Sequence, residues 1–219
     1  MPKKVLPDAD TFQTFVLYLK QLGFRPIHRA EFQSDLERLG LKAPRPREGR
    51  ETGFSYSANG LTVVVWTTFL NAEDRARDED AGWVLIKEGD EPRYFSHPLR
   101  RTSGFLRRLF KYARACRNRV LNRPLCPICK SHMRIEYGKA IGQRFWACFR
   151  KKFHKEPQFV EWDYGLTKQD QDFFKGERRR RSLYYKERRE QGKPLHVARL
   201  MRSKHRWKVA RPENKVLAR

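Results

Sequence analysis

Cysteine is scarce in this chain, with four among 219 residues. That is too few for a disulfide framework. Two of them form a tight Cys-x-x-Cys pair, which suits a metal in a reducing compartment. Long apolar runs are also missing. None approaches the length of a membrane span, and the start, Met1-Pro2-Lys3-Lys4-Val5-Leu6-Pro7, has no apolar signal-peptide core. These absences lead us to expect a soluble intracellular protein, in the cytoplasm or nucleoid of a bacterium or in the nucleus of a eukaryote. A Gly-rich nucleotide-binding loop is absent as well, and no tyrosine stands out as a strand-cleaving nucleophile.

Acidic residues become scarce after residue 96. Residues 1–96 hold 14 Lys and Arg against 15 Asp and Glu, whereas residues 97–164 hold 17 against 4 and residues 165–219 hold 18 against 6. The formal net charge is +24. Such an excess repels itself in a compact state unless a polyanion neutralises it, and nucleic acid is the commonest one. A membrane surface is the weaker partner, because the basic stretches lack a clean apolar face.

The pattern of residues predicts an α+β protein. Asp10 to Leu22 reads as a helix, with Phe12, Phe15, Val16, Leu19 and Leu22 at helical spacing, Asp10 and Gln13 as a capping box and Gly23 as its stop. A second helix is expected over Ala30 to Leu39, followed by a loop from Lys42 to Glu51. Phe54 to Ser57 and Leu61 to Phe69, joined through Asn59-Gly60, read as a hairpin. Gly82 to Ile86 and Arg93 to Phe95 are further strands, after an acidic loop at Glu73 to Asp80. Ser103 opens a helix to about Val120. Phe105, Leu109, Tyr112, Ala113, Cys116 and Val120 form its apolar face, and Arg107, Arg108, Lys111, Arg114 and Arg117 occupy the rest. No acid lies on this helix, so its cations, Arg107, Arg108, Lys111 and Arg114 above all, are expected to meet nucleic acid.

The sharpest signal is Cys126-Pro127-Ile128-Cys129, then Cys148, then His154. A Cys-x-x-Cys knuckle lets two thiolates reach one ion, and a second ligand pair some twenty residues on completes a tetrahedral Zn²⁺ site. Met133 to Tyr137 and Gln143 to Ala147 are strand-like between the ligand pairs, so knuckle, hairpin and knuckle predict a zinc ribbon. The fourth ligand is open among His154, then His132, then Cys116, the last lying on the apolar stripe of its helix.

Cys126-Pro127-x-Cys129-x-x-x-Met133 with Phe145-Trp146-x-Cys148 resembles the C-terminal zinc ribbon of bacterial type IA DNA topoisomerases. Gly142 to Cys148, with Pro157 to Asp163 after it, is similar to the GRF-type zinc finger of DNA-repair proteins. The resemblance covers about residues 124–164 and implies a ribbon that grips DNA, often single-stranded. Both families usually supply a cysteine as fourth ligand, and here that place falls near Pro157.

Aromatic and cationic residues interleave along the ribbon. Trp146 and Phe149 are expected as exposed stacking platforms beside Arg144, Arg150, Lys151 and Lys152, while Phe145, Phe159 and Trp162 are expected to pack inside. After Gly165 the chain reads as an arm of loose basic helices carrying Arg178, Arg179, Arg180 and Arg181, interrupted at Gly176, Gly192 and Pro194. Three units are expected: 1–122, 123–164 and 165–219. The expected function is nucleic-acid binding without catalysis, with DNA favoured and RNA as the other polyanion. The alternatives are a metal-dependent nuclease built on Glu73, Asp74, Asp78, Glu79 and Asp80, and a zinc-containing component of a ribonucleoprotein.

Overall fold

The computed structural model describes residues 11–28, 31, 34, 52–67, 80–96, 99–100, 103–137 and 144–191. The first element is helix α1 (Phe12–Gln21). Thr11 caps it by accepting from the Thr14 backbone N–H, in place of the expected box built on Asp10, which lies outside the described residues. Gly23 ends it as expected, donating back to the Lys20 carbonyl. Most of the helix expected at Ala30 to Leu39, and the loop after it, lie outside the described residues.

An antiparallel sheet follows: β1 (Arg25–Ile27), β2 (Thr52–Ala58), β3 (Leu61–Thr67), β4 (Asp80–Glu88) and β5 (Glu91–Phe95) in sequential order, with β6 (Leu99–Arg100) also pairing β4. The β2–β3 hairpin turns on Asn59 and Gly60, whose φ angles of 50° and 72° give the left-handed pair that matches strand twist. The apolar run of β3 is buried on both faces. Val63 and Val65, paired with Ile86 and Val84, face the helices; Val64 and Trp66, paired with Leu85 and Trp83, form a second buried cluster. β1 and β6 are too short for periodicity to mark them.

Helix α2 (Phe105–Leu121) crosses the helix-facing side of this sheet. It starts behind Gly104 rather than at Ser103, without a side-chain cap. Its predicted apolar stripe is buried throughout. A Cβ at Gly82 of β4 would stand 2.7 Å from the Phe105 ring, so glycine there lets the helix lie close to the sheet. The C-terminal end of α2 is tied to the hairpin, where the Asn59 amide donates to the carbonyls of Val120 (3.0 Å) and Leu121 (2.8 Å).

A second, three-stranded antiparallel sheet holds β7 (Arg134–Tyr137), β8 (Arg144–Ala147) and β9 (Phe159–Glu161). The first two are the expected hairpin strands, and the third is an addition. Helix α3 (Lys168–Glu190) completes the described chain. It runs through Gly176, correcting the expected break there.

The expected unit boundaries at 122/123 and 164/165 fall inside one hydrophobic core. That core joins Phe15, Val65 and Leu109 to Ile135, Trp146 and Trp162 of the second sheet and to Leu166 and Phe174 beyond it. Two buried arginines fasten the parts. Arg119 bonds Asp163 and lies between the rings of Trp162 (4.4 Å) and Phe174 (4.1 Å). Arg123 donates to the Met133 carbonyl, the Asn59 carbonyl and Glu88 Oε1, each at 2.7 Å.

Glu88 is where sheet and ribbon meet electrostatically. It pairs with Arg123, with Arg93 at 2.9 Å and with Arg134 at 3.3 Å. Burial opposes its ionisation, but the Arg123 hydrogen bond and the charges of Arg123, Arg93 and Arg134 outweigh that effect and hold its carboxyl below the ordinary range. A lowered folded-state pKa gives stability that is present above the unfolded pKa and is lost as pH falls through the folded one. Urea titrations across the acid range should therefore find Glu88→Gln less stable than the parent at neutral pH, with the gap closing as pH drops below the carboxylate range. A gap that does not change with pH would contradict this role.

Candidate metal centre

The first knuckle is built by backbone bonds around a tight turn. The Cys126 N–H donates to the Ser131 carbonyl (2.8 Å) and the Lys130 N–H to the Cys126 carbonyl (2.9 Å), with Lys130 at a positive φ of 56°. Cys148 follows β8. A single 3-10 turn, Lys151–Phe153, then reverses the chain and delivers His154 in extended conformation.

These two turns bring together Cys126, Cys129, Cys148 and His154, whose ligand atoms all lie within 4.8 Å of one another. Cys129 Sγ is 3.5 Å from Cys148 Sγ, and the His154 ring turns Nδ1 to Cys126 Sγ at 3.9 Å and Nε2 to Cys148 Sγ at 4.0 Å. A tetrahedral ion with Zn-like bond lengths places sulfurs about 3.8 Å apart and sulfur and nitrogen about 3.6 Å apart. The spacing fits such an ion, and none of the three thiols is in a disulfide. Cys126 and Cys148 are buried, while Cys129 and His154 are half-buried. The Cys3His group could hold a metal ion, compatible with a zinc ribbon.

Local bonds prepare the ligands unequally. Hydrogen bonds from the Ser131 side chain and backbone lower the pKa of the Cys129 thiol, whereas burial and the neighbouring thiols raise that of Cys148. An arriving cation must therefore displace a proton from Cys148, which makes binding weaker in acid. Of the other candidate ligands, Cys116 is sealed in the α2 core with its thiol pushed up to about 11 by burial. His132 is exposed on the bridge pairing Leu125 and stands outside the cluster.

The predicted nucleic-acid residues divide into two groups. Trp146 is fully buried, 5.3 Å from the Trp162 ring, so it is not the exposed platform expected of it. It belongs to the shared core, because the covered face of β8 is the one it occupies. Phe149 is exposed beside Arg134 (4.7 Å) and Arg150 (5.4 Å), and Lys151 and Lys152 are exposed with it. Arg144 is half-buried over the Tyr137 ring at 3.7 Å. Phe159, expected inside, is exposed and meets Phe145 edge-on. Sequence reasoning did not single out Phe153. It is 86% exposed at the tip of the 3-10 turn, and its place between Lys152 and His154 was the signal available.

The cationic face of α2 is not turned wholly outward as expected. Helix α3 covers part of it and brings the missing acids. Asp170 bonds Arg114 at 2.7 Å, Glu177 lies 3.8 Å from Arg108, and Lys111 sits over the Phe173 ring. Arg117 bonds the Leu22 carbonyl (2.7 Å), whereas Arg107 is exposed. On α3 itself Arg178 and Arg179 are exposed, Arg180 pairs with Glu177 at 2.6 Å, and the side chain of Arg181 lies outside the described residues. The acidic residues Glu73, Asp74, Asp78 and Glu79 lie outside the described residues, as does the Asp80 side chain.

No family model matches the chain, and no curated protein or solved structure matches it significantly. Among the described residues, no helix is long and apolar enough to cross a membrane.

Substitution separates the four ligands from their neighbours. Elemental analysis of purified Cys129→Ser and His154→Ala should find bound divalent metal reduced from about one ion per chain to a small fraction, because three ligands hold a structural ion poorly. His132→Ala should keep its metal. Full loading of Cys129→Ser, or loss from His132→Ala, would overturn the ligand assignment.

Proposed function

We propose that this chain is a zinc-stapled nucleic-acid-binding protein, with DNA as its favoured polyanion. Zinc suits the donor set: three soft thiolates and one imidazole close enough together to share one ion. Four protein ligands leave no open coordination position, so the ion serves the fold and not hydrolysis. That supports a structural ion over a zinc hydrolase.

The observation that carries the reading is the surface beside the metal cluster. Phe149 and Phe153 stand exposed among Arg150, Lys151, Lys152 and Lys155, and no acid occurs from residue 144 to residue 155. Burying two rings would be the ordinary outcome for phenylalanine. Exposed rings interleaved with cations suit bases that stack while their phosphates are neutralised. The likeness of the knuckles to topoisomerase and GRF ribbons agrees with this chemistry. Stacking and phosphate contacts alone do not separate DNA from RNA, which needs contacts to the 2′-hydroxyl.

Phe153→Ala tests the surface without disturbing the core, because the ring is almost wholly exposed. Fluorescence anisotropy with a single-stranded oligonucleotide should show a loss of about 1–3 kcal/mol in binding. For the parent, log affinity should fall steeply and linearly with log salt. Unchanged affinity in Phe153→Ala, or a flat salt response, would count against the proposal.

A further inference from the structure

The parts that carry the four ligands are held to the fold in different ways. The first knuckle, Cys126 to Ser131, is closed by its own backbone bonds, and just outside it the Met133 N–H donates to the Pro124 carbonyl at 2.9 Å. Cys148 directly follows β8, and its N–H donates to the Gln158 carbonyl ahead of β9 at 3.2 Å. The sheet behind both is fastened without an ion. Ile135, Trp146 and Trp162 lie in the shared core, Arg123 donates to the Met133 carbonyl, and the Tyr137 hydroxyl donates to the Arg93 carbonyl at 2.8 Å.

The loop from Phe149 to Pro157 has no such support. Every residue in it is exposed except His154, which is half-buried. Its backbone bonds run back along its own turn, from Lys151 to the Cys148 carbonyl, from Phe153 to Arg150 and from His154 to Lys151. Among the described residues, the middle of the loop meets the rest of the fold through the His154 imidazole and the thiols beside it. Phe149 and Phe153, the rings offered to nucleic acid, are both in this loop.

The two thiols nearest each other stand on the supported parts. Cys129 Sγ and Cys148 Sγ are 3.5 Å apart, and a disulfide needs about 2.05 Å, so a small approach joins the knuckle to the end of β8. Cys129 is half-buried whereas Cys126 and Cys148 are fully buried, so a small oxidant from solvent meets the Cys129 sulfur first.

We infer that the metal centre is a redox-controlled latch on the nucleic-acid surface: hydrogen peroxide joins Cys129 to Cys148, and the loop from Phe149 to Pro157 loses its fixed shape while the rest of the fold stays. This rests on the nucleic-acid reading above and adds its regulation. The Cys129 thiolate attacks one peroxide oxygen; the O–O bond breaks, a sulfenic acid forms and hydroxide leaves. The Cys148 thiolate then attacks the sulfenic sulfur; the S–S bond forms, the S–O bond breaks and a second hydroxide leaves. The two sulfurs together give up two electrons, which reduce the peroxide. Cys126 and His154 remain as the only ligands, too few to hold a structural ion. His154 is then unheld, and the loop with its two rings loses its anchor. A thiol reductant reverses the disulfide.

The test uses the full chain, purified under reductant and loaded with zinc, before and after hydrogen peroxide. A chromogenic chelator reads zinc release, mass spectrometry of non-reduced peptides maps the disulfide, and anisotropy with a single-stranded oligonucleotide reads binding. Peroxide should release about one zinc per chain, link Cys129 to Cys148 and leave Cys116 and Cys126 as thiols. Far-UV circular dichroism should stay close to that of the reduced chain, while affinity falls about tenfold or more, as expected when one or two stacked rings are lost. Reductant with added zinc should restore binding. In Phe153→Ala, where one ring is already gone, oxidation should lower affinity less than in the parent. A disulfide between Cys126 and Cys129, unchanged affinity after zinc release, or loss of the far-UV signal would overturn the inference while leaving the nucleic-acid reading intact. Failure of the reduced, zinc-loaded chain to bind the oligonucleotide would sink that reading, and this inference with it.

Discussion

The convergence of three thiols and an imidazole within a few ångströms constrains the two short turns that carry them. Ionised without a cation, the sulfurs repel each other; protonated, they crowd donors together in a site where two of them have no access to water. A divalent ion would resolve both problems and would fix the knuckle turn, the turn after β8 and the ends of β7 and β8 with respect to each other. The exposed faces of Phe149 and Phe153 follow from that, because both residues lie between Cys148 and His154 on the closed turn. The ribbon is not left to the metal alone. Its inner side, through Ile135, Trp146 and Trp162, completes the core that α2 begins.

Part of the large positive charge lies inside the fold. Arg114, Arg119 and Arg123 are internal fastenings, each paired with a carboxylate on a different element. Their value lies in joining α2 and the segment just after it to the sheet, the ribbon and α3; a buried ion pair contributes little net stability but costs several kcal/mol when one partner is removed, of order 3–5. Exposed cations among the described residues include Lys20, Arg25, Arg107 and Lys130, those on the turn after Cys148, and Arg178, Arg179 and Lys186 of α3.

Local signals made much of the fold legible. Asn59-Gly60 marked its hairpin because only positive φ closes that turn, and the α2 stripe was readable because one face is buried along its whole length. Cys-x-x-Cys, Cys148 and His154 were readable because ligand spacing is a local geometric requirement. Contacts between distant segments were not legible. Asp170 meets Arg114 across 56 residues of sequence, so α2 looked free of compensating acids and its cations looked free for a partner. Trp146 and Phe149 flank the same cysteine with opposite fates, decided by which side of β8 the rest of the protein covers. Gly176 failed to break α3 because Asp170, Phe174 and Glu177 dock the helix on both sides of it in sequence, outweighing one unfavourable residue.

The most direct measurement of the central claim is X-ray absorption at the zinc edge of the purified full-length protein. The account predicts a first shell of three sulfurs at about 2.3 Å and one nitrogen at about 2.0 Å, with no water ligand. A shell of oxygen and nitrogen alone, or a folded protein that holds no zinc, would contradict it.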